Sequence, residues 1–171
     1  MGAEADAPSA GQGGLSVNLA PSHPAGLRLR NPVLTASGTF GFGDEYREIV
    51  DYASLGAIVT KTVTPLPRDG NPTPRTVETP AGMLNSIGLP NPGVDGVLEQ
   101  KVPIWRDLPC PVVVSIAADK PAAWTALARR FDDIPNVVAL EANLSCPNVA
   151  GGLDFSADPQ AAAGTVAAVL A

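Results

Sequence analysis

The side chains of this sequence with chemical potential stand mostly where an apolar run gives way to a loop. Lys61 closes the run GAIVTK (56–61), with Thr62 directly behind it, and Ser37 closes PVLTAS (32–37). Ser115 lies at the end of PVVVSI (111–116), and Asn143, Ser145, Cys146 and Asn148 crowd the tip NLSCPN, where Pro147 stops the preceding run. An ammonium at such an exit stabilises negative charge that develops on a bound substrate, and amides and hydroxyls beside it orient polar ligand groups. A thiol with an ordinary pKa near ~8.5 acts as base or nucleophile once its proton is drawn away. Each residue also has a plainer reading: Lys61 as a lysine snorkelling to solvent, and Cys146 as an inert buried thiol.

The connection 62–93, TVTPLPRDGNPTPRTVETPAGMLNSIGLPNPG, is longer than the ~12–15 residues of an idle loop. Its prolines and glycines shape an excursion in which Asn85, Ser86 and Gly88 offer side-chain and backbone hydrogen bonds. It reads either as a lid or substrate-binding loop or as a crossover hairpin. Other chemistries find no support. The single His23 sits in a PSHP turn and no Cys/His spacing suits zinc or a cluster, so no metal site is expected. GTFGFG (38–43) is not a dinucleotide fingerprint, and there is no GK[ST].

The elements that must hold these residues repeat a unit. After a small, polar segment 1–14, expected to be a disordered tail, SVNLA and GLRLR read as a hairpin around PSHPAG. The buried-strand candidates 32–37, 56–61, 111–116 and 136–144 alternate with helix candidates 43–55, 94–102, 121–131 and 158–171, the last two opening on Pro121 and on Asp158-Pro159. Continuous apolar runs separated by helices predict parallel strands covered by helices, in an α/β fold. Two architectures remain open: an open doubly wound sheet, or about the first four βα units of a (β/α)8 barrel, which takes eight units and ~250 residues. In both, ligands gather at the carboxyl ends of the strands, where the polar residues lie. The last helix lacks a Gly or Asn C-cap, which favours a sequence interrupted at Ala171.

Composition agrees. The chain has 171 residues, 45% of them hydrophobic, and a net charge of −6 from 11 basic and 17 acidic side chains. That suits one globular domain and argues against nucleic acid or an anionic membrane as partner. No run reaches membrane-span length and the amino terminus is unlike a signal peptide, so a soluble, cytoplasmic chain is expected. Cys110 and Cys146 flank different strands at opposite ends, too far apart for a bridge, which predicts two free thiols.

Taken together, NPVLTASGTFGFGDEY, TKT, GNPTPR, GMLNSIGLPNPG and NLSCPN followed by GGLDFSADP resemble the class 1 dihydroorotate dehydrogenases, and FGFG with GGLDF is most similar to the NAD-linked class 1B catalytic subunit. The resemblance runs from about Leu15 to Ala171 and implies the amino-terminal half (15–171) of an FMN-binding (β/α)8 TIM barrel. It implies oxidation of dihydroorotate to orotate in pyrimidine biosynthesis, with Cys146 as base. It implies flavin contacts at Ser37, Lys61, Thr62, Ser115 and Asn143, and substrate contacts at Lys61, Asn85, Ser86, Ile87, Gly88, Leu89, Asn143 and Asn148. Ser115 departs from the pattern, since relatives commonly carry Asn there. The class would work as a homodimer beside an electron-transfer subunit bearing FAD and an iron–sulfur cluster, passing electrons to NAD. The alternatives are an inactive truncated fragment, or a related flavin barrel acting on another dihydropyrimidine.

Overall fold

The computed structural model describes residues 14–145 and 152–171; Cys146 and Asn148 lie outside them, as does most of the expected tail. The hairpin forms as expected, β1 (Val17–Asn18) pairing antiparallel with β2 (Arg28–Leu29). The main sheet contains β3 (Ile58–Val59), β6 (Val112–Ile116) and β7 (Val137–Ala142), all parallel, in the order β3-β6-β7. Between β3 and β6 in the chain lies a separate antiparallel pair, β4 (Thr76–Thr79) with β5 (Gly82–Asn85). β6 is buried at every position, which is why its sequence VVVSI runs on without the alternation of a half-exposed strand.

The sheet order decides between the two architectures. Leu34 bridges Ala57 in parallel, so the segments around Leu34, β3, β6 and β7 lie side by side in chain order. A doubly wound sheet reverses order at a switch point; this one does not. The helices also share one face. α1 (Gly93–Gln100), α2 (Val102–Trp105) and α3 (Pro121–Arg129) bury Val97, Trp105, Trp124 and Leu127 against Ile58, Val112, Val114 and Ile116. The other face packs Ala57, Val59 and Val113 against Leu29, with Leu27 and Val17 of the hairpin beside them. Helices outside, a small apolar layer inside and a hairpin across that inner face make an arc of a barrel. α4 (Gly152–Ala157), which the sequence reading did not anticipate, precedes α5 (Pro159–Val169), whose Asp158 cap accepts from Gln160 N at 2.9 Å.

Three expectations need correction. Residues 43–55 do not form the expected helix: turns lead to a short 3-10 segment, Tyr52–Ser54. The acids there cap locally instead. Glu45 accepts from the backbone N–H groups of Phe42, Gly43 and Asp44, and Asp51 accepts from Ala53 N, so carboxylates hold the N–H groups in turns. The run 32–37 contributes only the Leu34 bridge, since Pro32 offers no N–H and the side chain of Asn31 takes Val33 N. The run 56–61 keeps two ladder residues because its pairing with β6 shifts after Thr60. Cys110 is a buried free thiol, as expected, and burial pushes its pKa up.

Candidate functional site

The site begins with a break in register. Thr60 N donates to Val113 O, and the next bond of the ladder comes from Val63 N to Ser115 O. Three residues of advance on one strand thus oppose two on the other, the signature of a β-bulge. The bulge flips the alternation: Val59 packs with the inner layer, Val63 with the outer one, and Thr62 turns to the side that carries Ser115. Lys61 N, freed from the ladder, donates to Gly41 O at 2.6 Å.

Three of the expected residues meet there. Thr62 Oγ1 and Ser115 Oγ lie 2.9 Å apart, and Asn143 Nδ2 donates to Thr62 Oγ1 at 2.9 Å. Thr62 and Ser115 are buried, while Asn143, held by its N–H on Ile116 O, is half-buried. The second amide hydrogen of Asn143 and its Oδ1 have no partner among the described residues, which leaves one donor and one acceptor for a ligand. Ser37 and Lys61 are half-buried, and no hydrogen bond among the described residues joins their side chains to this group. Lys61 is positioned through its backbone. Gly41, its partner, belongs to a loop fixed by Trp105 Nε1 on Phe42 O (2.6 Å) and by Lys101 Nζ on Asp44 Oδ2 (2.7 Å). Burial raises the Asp44 pKa, but the hydrogen bonds and charge of Lys101, aided by Glu45, hold it below the usual carboxylate range.

The segment Asn85 to Leu89 is built separately, and no hydrogen bond among the described residues joins it to Thr62, Ser115 or Asn143. The long connection contains a hairpin, and both strands of it, β4 and β5, are exposed. Asn85 ends β5, paired with Thr76, and Ser86 is exposed with its Oγ accepting from Asn71 Nδ2 at 2.7 Å. Beyond it the chain turns inward through Gly88 (φ 82°) and Leu89 (φ 57°), both buried. A Cβ at Gly88 would collide with Asn71 N, so only glycine fits that step. The carbonyls of this turn are all held by the scaffold: Ile87 O by Asn71 N (3.0 Å), Gly88 O by Arg68 Nε (3.4 Å) and Leu89 O by Asn91 Nδ2 (3.0 Å). The N–H groups of Ile87, Gly88 and Leu89 donate to no oxygen among the described residues. Three consecutive N–H groups without a protein acceptor, on a backbone whose carbonyls are anchored, have the chemistry to receive an anionic group.

Sequence reasoning missed Asn71, Arg75 and Asn91, which brace this turn from outside it; Arg75 Nε donates to Asn71 O at 2.6 Å. It also missed Glu141, which pairs in register with Ser115 and shares the alternation of Ala139 and Asn143. Strand parity alone could have found Glu141. An open cleft of about 350 Å³ lies nearby, lined by Thr64 to Arg68 and Ala117 to Asp119, and none of the expected site residues line it. Among the described residues no group of acidic, His or Cys side chains could hold a metal, and no helix is long and apolar enough to cross a membrane.

Residues 20–171 match the family model described as dihydroorotate dehydrogenase. Three similar proteins carry the name dihydroorotate dehydrogenase B (NAD(+)), catalytic subunit. That of Trichlorobacter lovleyi is 53% identical over 143 residues, covering 83% of this chain and 47% of the relative. That of Geobacter sulfurreducens is 52% identical over 146 residues (85% and 48%), and that of Pelobacter propionicus 50% over 155 (90% and 49%). The chain therefore spans about half the length of the curated relatives it matches. Among solved structures it resembles a dihydroorotate dehydrogenase of Eimeria tenella crystallised with ferulenol, with a TM-score of 0.67 and 22% identity, covering 91% of this chain and 43% of that one. The likeness extends the arc seen in the sheet: this is the fold of part of a (β/α)8 barrel.

Proposed function

The chain belongs to the dihydroorotate dehydrogenase family, and from that premise we propose that the complete protein oxidises dihydroorotate to orotate in pyrimidine biosynthesis, as the catalytic subunit of an NAD-linked enzyme in the cytoplasm. The observation that carries the reading is the run of unused N–H groups at Ile87, Gly88 and Leu89, placed on a turn whose carbonyls are all anchored elsewhere. Dihydroorotate is a small cyclic diamide with one carboxylate; the N–H run suits its carboxylate, and the free donor and acceptor of Asn143 suit its amides.

The donor set also fits a flavin. Lys61, Thr62, Ser37 and Asn143 stand at or just beyond the ends of neighbouring parallel segments, where a ring edge of alternating carbonyls and N–H groups needs both donors and an acceptor. These residues would hold FMN, with the buried Ser115 hydroxyl acting through Thr62. When bound, FMN accepts the two electrons that leave the substrate. The protein does the rest: Ile87 to Leu89 hold the carboxylate, Asn85, Ser86 and Asn148 supply further contacts, and Lys61 offsets developing negative charge. Cys146 takes the proton from C5 as the hydride leaves C6, and passes it to solvent. FAD and an iron–sulfur cluster would reside on a partner subunit that hands electrons to NAD, with the catalytic subunit as a homodimer.

The test is spectroscopic. The complete protein is expected to be yellow and, without oxygen, to be bleached by dihydroorotate and not by dihydrouracil. A colourless protein overturns the flavin assignment, and bleaching by dihydrouracil alone assigns the barrel to another dihydropyrimidine.

A further inference from the structure

Asn91 is buried, carries no charge and lies outside the segment expected to touch substrate, yet its amide makes more hydrogen bonds than any other side chain near the site. Its two ends do different things. Oδ1 accepts from Thr64 N (3.1 Å) and Gly93 N (3.0 Å), which are fixed points of the scaffold: Thr64 directly follows Val63 on the strand, and Gly93 opens α1. Nδ2 donates to Leu89 O (3.0 Å) and to Thr64 Oγ1 (2.9 Å). Two backbone donors on one side and a backbone acceptor on the other allow only this orientation of the amide. Asn91 is itself paired with Arg68 through both backbone bonds, N to O at 3.0 Å and O from N at 2.9 Å.

The conformation that this amide holds is an uncommon one. Leu89 has φ 57°, a left-handed value that residues with a Cβ adopt at a cost, and it does so next to Gly88 at 82°. The hydrogen bond from Asn91 Nδ2 to Leu89 O pins the peptide that follows Leu89, and with it one end of the turn that carries the unused N–H groups. We propose that Asn91 is a positioning residue: its amide ties Leu89 O to the start of α1 and the end of the strand, and so keeps the carboxylate-binding N–H groups aimed at the ligand. This rests on the reading of Ile87 to Leu89 as the carboxylate receptor.

Asn91→Asp tests it in the complete protein. The carboxylate keeps both Oδ1 bonds to the scaffold but faces Leu89 O with an acceptor in place of a donor. Expected are an unchanged flavin spectrum and content, roughly ten- to a hundred-fold weaker binding of orotate, and a KM for dihydroorotate raised by a similar factor with a much smaller change in kcat. Thr64→Val removes the hydroxyl that braces Nδ2, together with its bond to Leu66 O (2.7 Å), leaves the Asn91 bond to Leu89 O in place, and should shift orotate affinity in the same direction by less. Orotate affinity equal to wild type in Asn91→Asp overturns the proposal, as does equal affinity in Thr64→Val should Asn91→Asp fail to fold. A wild-type protein that binds no orotate instead overturns the receptor reading itself, so the two failures are told apart.

Discussion

Replacing Thr62 by valine tests whether the buried hydroxyl pair is a coupled unit. Valine matches threonine closely in shape, so the substitution opens no cavity and its effect is almost purely polar. It leaves Ser115 Oγ, fully buried, without the partner it has at 2.9 Å, which costs roughly 1–3 kcal/mol for an orphaned buried hydroxyl. It also takes the acceptor from Asn143 Nδ2, but that residue is half-buried and regains water, so about 0.5–1 kcal/mol is lost there. The sum is about 3 kcal/mol. Ser115→Ala alone costs less, about 1 kcal/mol, because Thr62 keeps the Asn143 amide as a partner. The double variant removes the orphan and is expected at ~1–2 kcal/mol, well below the sum of the single changes, which is a coupling of roughly 2–3 kcal/mol. Urea unfolding of the four proteins measures all three differences, and orotate titration should show weaker binding in both variants that lack the Thr62 hydroxyl. Strictly additive stabilities would refute the claim that the two hydroxyls satisfy each other.

Other expectations concern single positions. Cys146→Ser in the complete protein should slow reduction of bound flavin by dihydroorotate by on the order of a hundredfold or more, read by stopped-flow absorbance; a wild-type rate removes Cys146 from the chemistry. Asn136 has φ 68° and donates from Nδ2 to the carbonyls of Trp105 (2.9 Å) and Cys110 (2.9 Å), so Asn136→Ala, which loses both the bonds and the tolerance of that φ, should unfold about 1–2 kcal/mol more easily than Asn136→Gly, which loses only the bonds. Asp44, with its folded pKa lowered mainly by Lys101, stabilises the fold above its ordinary pKa, and that contribution is lost as the pH falls through the lowered folded value. Lys101→Met should therefore destabilise the protein by up to ~1 kcal/mol at pH 7 and flatten the acid limb of its stability profile, as followed by urea titrations at several pH values.

Much of the architecture was legible because its causes are local. The run of β6 is continuous and rich in valine since that strand is buried on both faces, and Pro121 and Asp158 mark helix starts through their own backbone and side-chain chemistry. The motif at Asn143 to Asn148 and the segment Asn85 to Leu89 were singled out for the same reason: they stand at strand exits or in an overlong connection. The expected helix at 43–55 failed on a local competition that periodicity does not register, since Glu45 and Asp51 satisfy backbone N–H groups in turns as readily as they would begin a helix.

What the sequence by itself determined is the alternation of strand and helix, the clustering of polar groups at strand ends and the family to which those motifs belong. Tertiary structure alone decided how those groups are aimed. The bulge after Thr60 exists only against the partner strand, and it is what brings Thr62 to Ser115, 53 positions away, and to Asn143, 81 positions away. Asn91 looks like any loop asparagine until Thr64 N and Gly93 N converge on its oxygen. Side-chain period and capping are written in neighbouring residues, whereas a hydrogen bond between distant ones depends on how the whole sheet is registered, and no short stretch of sequence carries that information.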